Sequence, residues 1–139
     1  MPSIVIKRRD EITPVRAGDR LPPERKILFS DGELSSAQRR FFPEGDEGLE
    51  LFEIELGPNA EVQSHAHSSS EIIYVTAGAL HLGAHVCGPG SAIFIAADTL
   101  YGFRAGPAGA TFLNFRGDPR PEYFTKEQFM ARRQSAAGS

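Results

Sequence analysis

The segment His65-Ala66-His67-Ser68-Ser69-Ser70-Glu71 gathers two imidazoles and a carboxylate in a chain that has only four histidines. Neutral imidazole and carboxylate oxygen are donors that divalent transition metals take from proteins. Two histidines with one carboxylate form a facial set that leaves positions open for water or substrate. On an extended strand Gln63, His65 and His67 share one parity, and Ser64 and Ala66 the other. The two imidazoles are therefore expected on one face, with Gln63 placed just above His65 as a contact to the bound cofactor. Glu71 opens the next apolar run, in which Ile73 and Val75 share its parity. The expectation is that His65 and His67 enter a barrel interior from one strand and Glu71 from its neighbour, joined by the serine bend. Together they would hold Fe(II), Mn, Ni or Zn. An isolated His-x-His is more often a pair of polar residues at a strand edge. Here the placed glutamate, the glycine after the strand and the meander beyond it favour the metal reading.

A barrel must position these groups, and the composition allows one. At 139 residues the chain has the length of a single domain. Its 40% hydrophobic and 24% charged residues are those of a globular protein. A net charge of −3 and a pI near 5.8 offer no basic footprint for nucleic acid. One cysteine, Cys87, excludes an intramolecular disulfide and suits a reducing compartment. No apolar run has the length of a membrane span, and the opening "MPSIVIKRRDE" has the wrong order for a secretory signal. A cytoplasmic location is expected.

The 14 glycines and 10 prolines cut the chain into short pieces. "SIVIK", "KILF", "LELFEIEL", "EIIYVT", "SAIFIA" and "ATFLNF" are rich in β-branched and aromatic residues and suit strands of an all-β barrel. In "LFEIEL", Phe52, Ile54 and Leu56 alternate with Glu53 and Glu55, as in a strand with one wet side. "IIYV" and "AIFI" are apolar on both parities, so both their faces are expected to be covered. Gly78 is expected to break a strand, with turns at Gly83-Ala84 and Gly88-Pro89-Gly90. Only "FTKEQFMARRQS" reads as helix, with Thr125 as N-cap and Phe129 and Met130 as its apolar side. The division expected is an N-terminal arm packing on the barrel over 1–25, a β-barrel over 26–120, and a short helix with a frayed tail over 121–139.

The stretch "GPNAEVQSHAHSSSEIIYVTAG", Gly57 to Gly78, resembles the first motif of the cupin superfamily, with His65, His67 and Glu71 on its metal-ligand positions. "GSAIFIAADTLYGF", Gly90 to Phe103, resembles the second. The resemblance covers about residues 49–116 and implies a double-stranded β-helix, or jelly-roll, barrel. Two departures matter. Ala96-Ala97-Asp98 stands where the family has a Pro-x-Gly bend, and Tyr101 stands where it has its last histidine ligand. Two extra residues also lie between Gly57 and His65.

Tyr101 has three readings. It is a phenolate ligand, disfavoured by an ordinary pKa of about 10; a neutral phenol that hydrogen-bonds substrate or metal-bound water and acts as acid or base; or a ring filling an abandoned site. The second ranks first and makes Tyr101 the candidate catalytic residue. Phe103 shares its parity and is expected to line the cavity, and Arg104 meets an anionic substrate only if the rim bends inward. His81, His85 and Cys87 flank a tight turn and read as surface residues of a hairpin. Two functions follow. One is a divalent-metal enzyme, dioxygenase-, isomerase- or lyase-like, acting on a small organic substrate in the barrel. The other is a non-catalytic small-molecule or sensor module with a degenerate metal site. The apolar outer face and the family resemblance imply a homodimer, and neither nucleic acid nor membrane is expected as partner.

Overall fold

A computed structural model describes residues 4–16, 37–42, 49–117 and 123–137. Nine strands follow one another: β1 Val15–Arg16, β2 Gln38–Phe41, β3 Glu50–Leu56, β4 Glu61–His67, β5 Glu71–Leu82, β6 His85–Cys87, β7 Ala92–Ile95, β8 Tyr101–Arg116 and β9 Tyr123–Thr125. A single helix, α1, Lys126–Ala137, closes the described chain. The strands form one curled antiparallel sheet in the order β1-β2-β3-β8-β4-β9, with β5 joined to β6, β7 and β8. No helix among the described residues is long and apolar enough to cross a membrane.

The long β8 organises the sheet. Its later half lies between β3 and β5, and its first residues lie beside β4. Curling turns Phe52, Ile73, Val75, Leu80 and Phe112 inward, where they are fully buried. Gly78 does not end a strand as expected but lies inside β5, at φ 67°, where the register against β8 slips. A Cβ there would overlap the carbonyl oxygen of Gly109, so the bend of β5 against β8 depends on glycine.

Three other expectations are corrected, and one falls outside the described residues. "SIVIK" forms no strand over its described residues, and Ile4, Val5 and Ile6 are exposed. "KILF" lies outside the described residues. The outer side of β3 is not wet at Glu53, which is only 6% exposed. Arg9, in a 3₁₀ turn over Arg9–Glu11, and Arg40 of β2 both bond its carboxylate and that of Glu55. Conversely, the outer faces of β5 and β7 are open: Phe94 is 68% exposed, and its cross-strand partner Ile72 is 43% exposed. Tyr74 and Phe115 extend this uncovered apolar row.

The helix starts at Lys126, behind a reciprocal cap. Thr125 Oγ1 accepts from the Gln128 amide at 3.2 Å, and Gln128 Oε1 accepts from the Thr125 amide at 3.0 Å. Phe129 is buried, whereas Met130 is exposed, so the apolar side is narrower than expected.

Candidate functional site

β4 carries the two imidazoles inward, though not by simple alternation. Val62 pairs with Phe103 and His65 with Tyr101, so β4 has one residue more than β8 between those pairs. This bulge lets Val62 pack on the core and His65 be buried, while Gln63 and Ser64 between them are exposed. The bulge resets parity at Gln63, whose side chain is exposed. It is instead the carbonyl oxygen of Gln63 that touches His65, accepting from Nδ1 at 2.7 Å. That contact fixes the ring and leaves its Nε2 lone pair free.

Glu71 does not come from the neighbouring strand. β8 separates β4 from β5, and on the other side of β4 lies β9. Glu71 is 3% exposed. The Tyr101 hydroxyl donates to its Oε1, and Asn114 Nδ2 donates to its Oε2 at 3.1 Å. Arg116 Nε donates to Asn114 Oδ1 at 3.0 Å and lies 3.5 Å from Glu71 Oε2. The Arg116 guanidinium in turn lies over the Phe52 ring, 4.7 Å from its centroid. The carboxylate is therefore held on both oxygens, by a phenol on one side and by the Asn114–Arg116 pair on the other.

The rings of His65 and His67 meet edge to face, with centroids 4.9 Å apart. Tyr101 lies against His65 at 4.5 Å, and Tyr123 of β9 stacks on it at 5.1 Å. Tyr123 also meets His67 edge-on at 5.4 Å. Strand β9 is paired along the imidazole-bearing strand, His67 opposite Tyr123 and His65 opposite Thr125. The C-terminal segment thus forms a wall of the site. The Asp98 turn adjoins it: the Asp98 amide donates to the carbonyl of His67 at 2.8 Å, and Arg132 of α1 approaches Asp98 at 3.8 Å. Asp98 has φ 59° and so makes the left-handed bend where the family pattern has glycine, which accounts for Ala96-Ala97-Asp98 in that place.

Burial keeps both imidazoles neutral. Loss of solvent lowers the pKa of His65. His67 is lowered from 6.5 to about 4, first by burial and then by the neighbouring His65. Burial, reinforced by the charge of Glu71, raises the pKa of Tyr101 well above 10, so its hydroxyl keeps its proton. Tyr101 is a neutral phenol whose hydroxyl is spent on Glu71. Nδ1 of His67 is buried and has no hydrogen-bond partner.

A divalent ion here would draw on three donors. Two of the three donors are poised for one: His65 has its Nδ1 tied to a carbonyl, and His67 has an unpartnered nitrogen. The third is engaged by its neighbours, Tyr101 on Oε1 of Glu71 and Asn114 on Oε2. Among the described residues no group of three or more His, Cys, Asp or Glu side chains stands as a metal-holding set. The two imidazoles fit a divalent ion, and the carboxylate would have to turn from Tyr101 to join them.

An open cleft of about 280 Å³ lies beside this cluster, lined by Glu61, Ser64, His81, Phe103 and Arg104 among others. Phe103 connects the two, its ring 6.1 Å from that of Tyr101. The cleft's lining includes neither histidine of the pair nor Glu71, so it adjoins the buried groups without containing them. Arg104 is on its rim, opposite both Glu61 and His81 across the sheet. His85 is exposed on the β5–β6 hairpin, and Cys87 packs on the core, so the two do not join His81 in a cluster.

The shape of the molecule decides the fold. Solved structures superpose over most of the chain. A polyketide cyclase, RemF from Streptomyces resistomycificus, matches with a TM-score of 0.69 and 22% identity over 95% of this chain and 94% of its own. An RmlC-like cupin from Shewanella frigidimarina NCIMB 400 matches with a TM-score of 0.63 and 19% identity, over 82% and 90%. The chain has the cupin fold. The Fe(II) form of HppE also matches, with a TM-score of 0.61 and 12% identity over 81% of this chain and 60% of its own. No family model and no curated protein sequence matches this chain.

Sequence reasoning missed Asn114, Arg116 and Tyr123. The apolar run "ATFLNFR" ends in two polar side chains of one parity, Asn114 and Arg116, and that alternation was a signal for the pair. Nothing local distinguishes Tyr123, which reaches the site only because β9 pairs back onto β4.

Proposed function

We propose that this cupin binds a small planar, oxygen-bearing organic molecule at the imidazole pair and transfers protons on it, an enol, phenol or 1,3-dicarbonyl compound being the class that suits the groups present. The observation that carries this reading is a neutral phenol, Tyr101, donating to a buried carboxylate beside an unpartnered buried nitrogen of His67. Each group then has a task. His67 Nδ1, kept neutral by its lowered pKa, accepts a hydrogen bond from a ligand hydroxyl. The Tyr101 oxygen takes the ligand's acidic proton as its own proton passes to Glu71 Oε1, and the reverse transfer returns it. Asn114 and Arg116 hold the carboxylate in place during both steps. The stacked position of Tyr123 on His65 marks where a planar ring would lie, so β9 must yield for a ligand to enter. The polyketide cyclase among the structural neighbours supports this class, since ring closure of polyketones proceeds through enols. Association of two chains through the uncovered row of Ile72, Tyr74, Phe94 and Phe115 belongs to the same reading.

The test is hydrogen–deuterium exchange at the central carbon of an aromatic 1,3-diketone, followed by NMR in the presence of a chelator. The wild-type protein is expected to accelerate exchange, and Tyr101→Phe to lose about a hundredfold of that acceleration. Equal rates for the two proteins, or acceleration that the chelator removes, would contradict the proposal.

A further inference from the structure

We propose that Tyr101 acts as a lock on Glu71, withholding the third donor from the imidazole pair and making this cupin a weak binder of divalent ions. The motif supplies three donors and the fold brings all three inward, yet the carboxylate is bonded at Oε1 by the phenol and at Oε2 by Asn114. Oε2 faces Asn114 and Arg116, so Oε1 is the oxygen that could turn to an ion, and it is the one Tyr101 takes. For Oε1 to turn away from Tyr101 toward His65 and His67, that bond must break and leave a phenol hydroxyl without its acceptor in a buried place.

The affinity for an ion should therefore be set by one oxygen atom that is not itself a donor to it. Tyr101→Phe keeps the ring that packs on His65 and Phe103 and removes only the hydroxyl. Releasing the carboxylate from a buried hydrogen bond should tighten binding by roughly tenfold to a hundredfold.

Calorimetric titration of the chelator-treated protein with Zn²⁺, and with Co²⁺ followed by its visible spectrum, reads this directly. No organic ligand is present, so the outcome stands apart from that of the exchange experiment. Three results are expected: weak binding by the wild-type protein, tighter one-to-one binding with a tetrahedral Co²⁺ spectrum for Tyr101→Phe, and loss of that gain when Glu71→Gln is added. Wild-type binding as tight as that of Tyr101→Phe, or a gain that survives Glu71→Gln, would overturn the proposal. Should Tyr101→Phe fail to fold, Glu71→Gln alone decides. An affinity within about twofold of wild type supports the lock, and a tenfold loss shows that the carboxylate was already a ligand.

Discussion

Stability of this protein should fall between neutral pH and pH 5, and His67 should account for a definable share of the fall. Its pKa is lowered from 6.5 to about 4 by burial beside His65. Between those values the unfolded chain binds a proton that the folded one does not, so stability is lost as pH drops through 6.5 and levels off below about 4. From pH 7 to pH 5 the loss from His67 alone comes to about 2 kcal/mol, and His65, lowered in the same direction, adds to it. Against a typical total of about 5–15 kcal/mol this is easily measured. Urea unfolding at the two pH values, with chelator present, gives the wild-type difference. The same pair of curves for His67→Gln removes the His67 contribution, whatever that substitution does to stability at pH 7. The expected result is a pH dependence shallower by about 2 kcal/mol in the variant. Parallel losses in the two proteins, within about 0.5 kcal/mol, would refute the argument that His67 is buried as a neutral ring.

Other perturbations test the parts around it. Asn114→Leu removes the donor to Glu71 Oε2 and the acceptor of Arg116 Nε, and should cost about 2–4 kcal/mol, read as a fall in Tm by calorimetry. An unchanged Tm would mean that the network does not hold the carboxylate. Removing residues 123–139 takes away Tyr123 and should expose His65 and His67 to an imidazole-directed acylating reagent, detected by mass spectrometry; protection equal to the full chain would deny β9 its role as a wall. Phe94→Glu should abolish association of two chains in sedimentation velocity at micromolar concentration, and a wild-type protein that stays monomeric there would remove the dimer reading.

Much of this fold was legible because strand periodicity and glycine placement are local. Alternation in "LFEIEL" gave the inward Phe52 and Leu56, and Thr125 with Gln128 gave the helix start. Failures came where partners distant in sequence decide the outcome. Glu53 was read as wet because nothing in its own strand announces Arg9, more than forty residues earlier. Gln63 was placed by parity that a bulge against β8 then reset. The inward direction of His65 and Glu71 was readable, but the hydrogen bond that couples Glu71 to Tyr101 depends on the curl of β8 and not on spacing. Substitution of Tyr101 for histidine did mark the position as the place to look. What it could not show was that the phenol bonds the glutamate instead of facing an ion.

The bond between Tyr101 and Glu71 is the point on which the account turns. A crystal structure of the protein grown with Zn²⁺ in the medium, with anomalous data collected at the zinc edge, tests it most directly. The account predicts the phenol oxygen on Glu71 Oε1, Asn114 on Oε2, and no ion held jointly by the two imidazoles and the carboxylate. A strong anomalous peak bound by His65, His67 and Glu71, with Tyr101 turned aside, would contradict it.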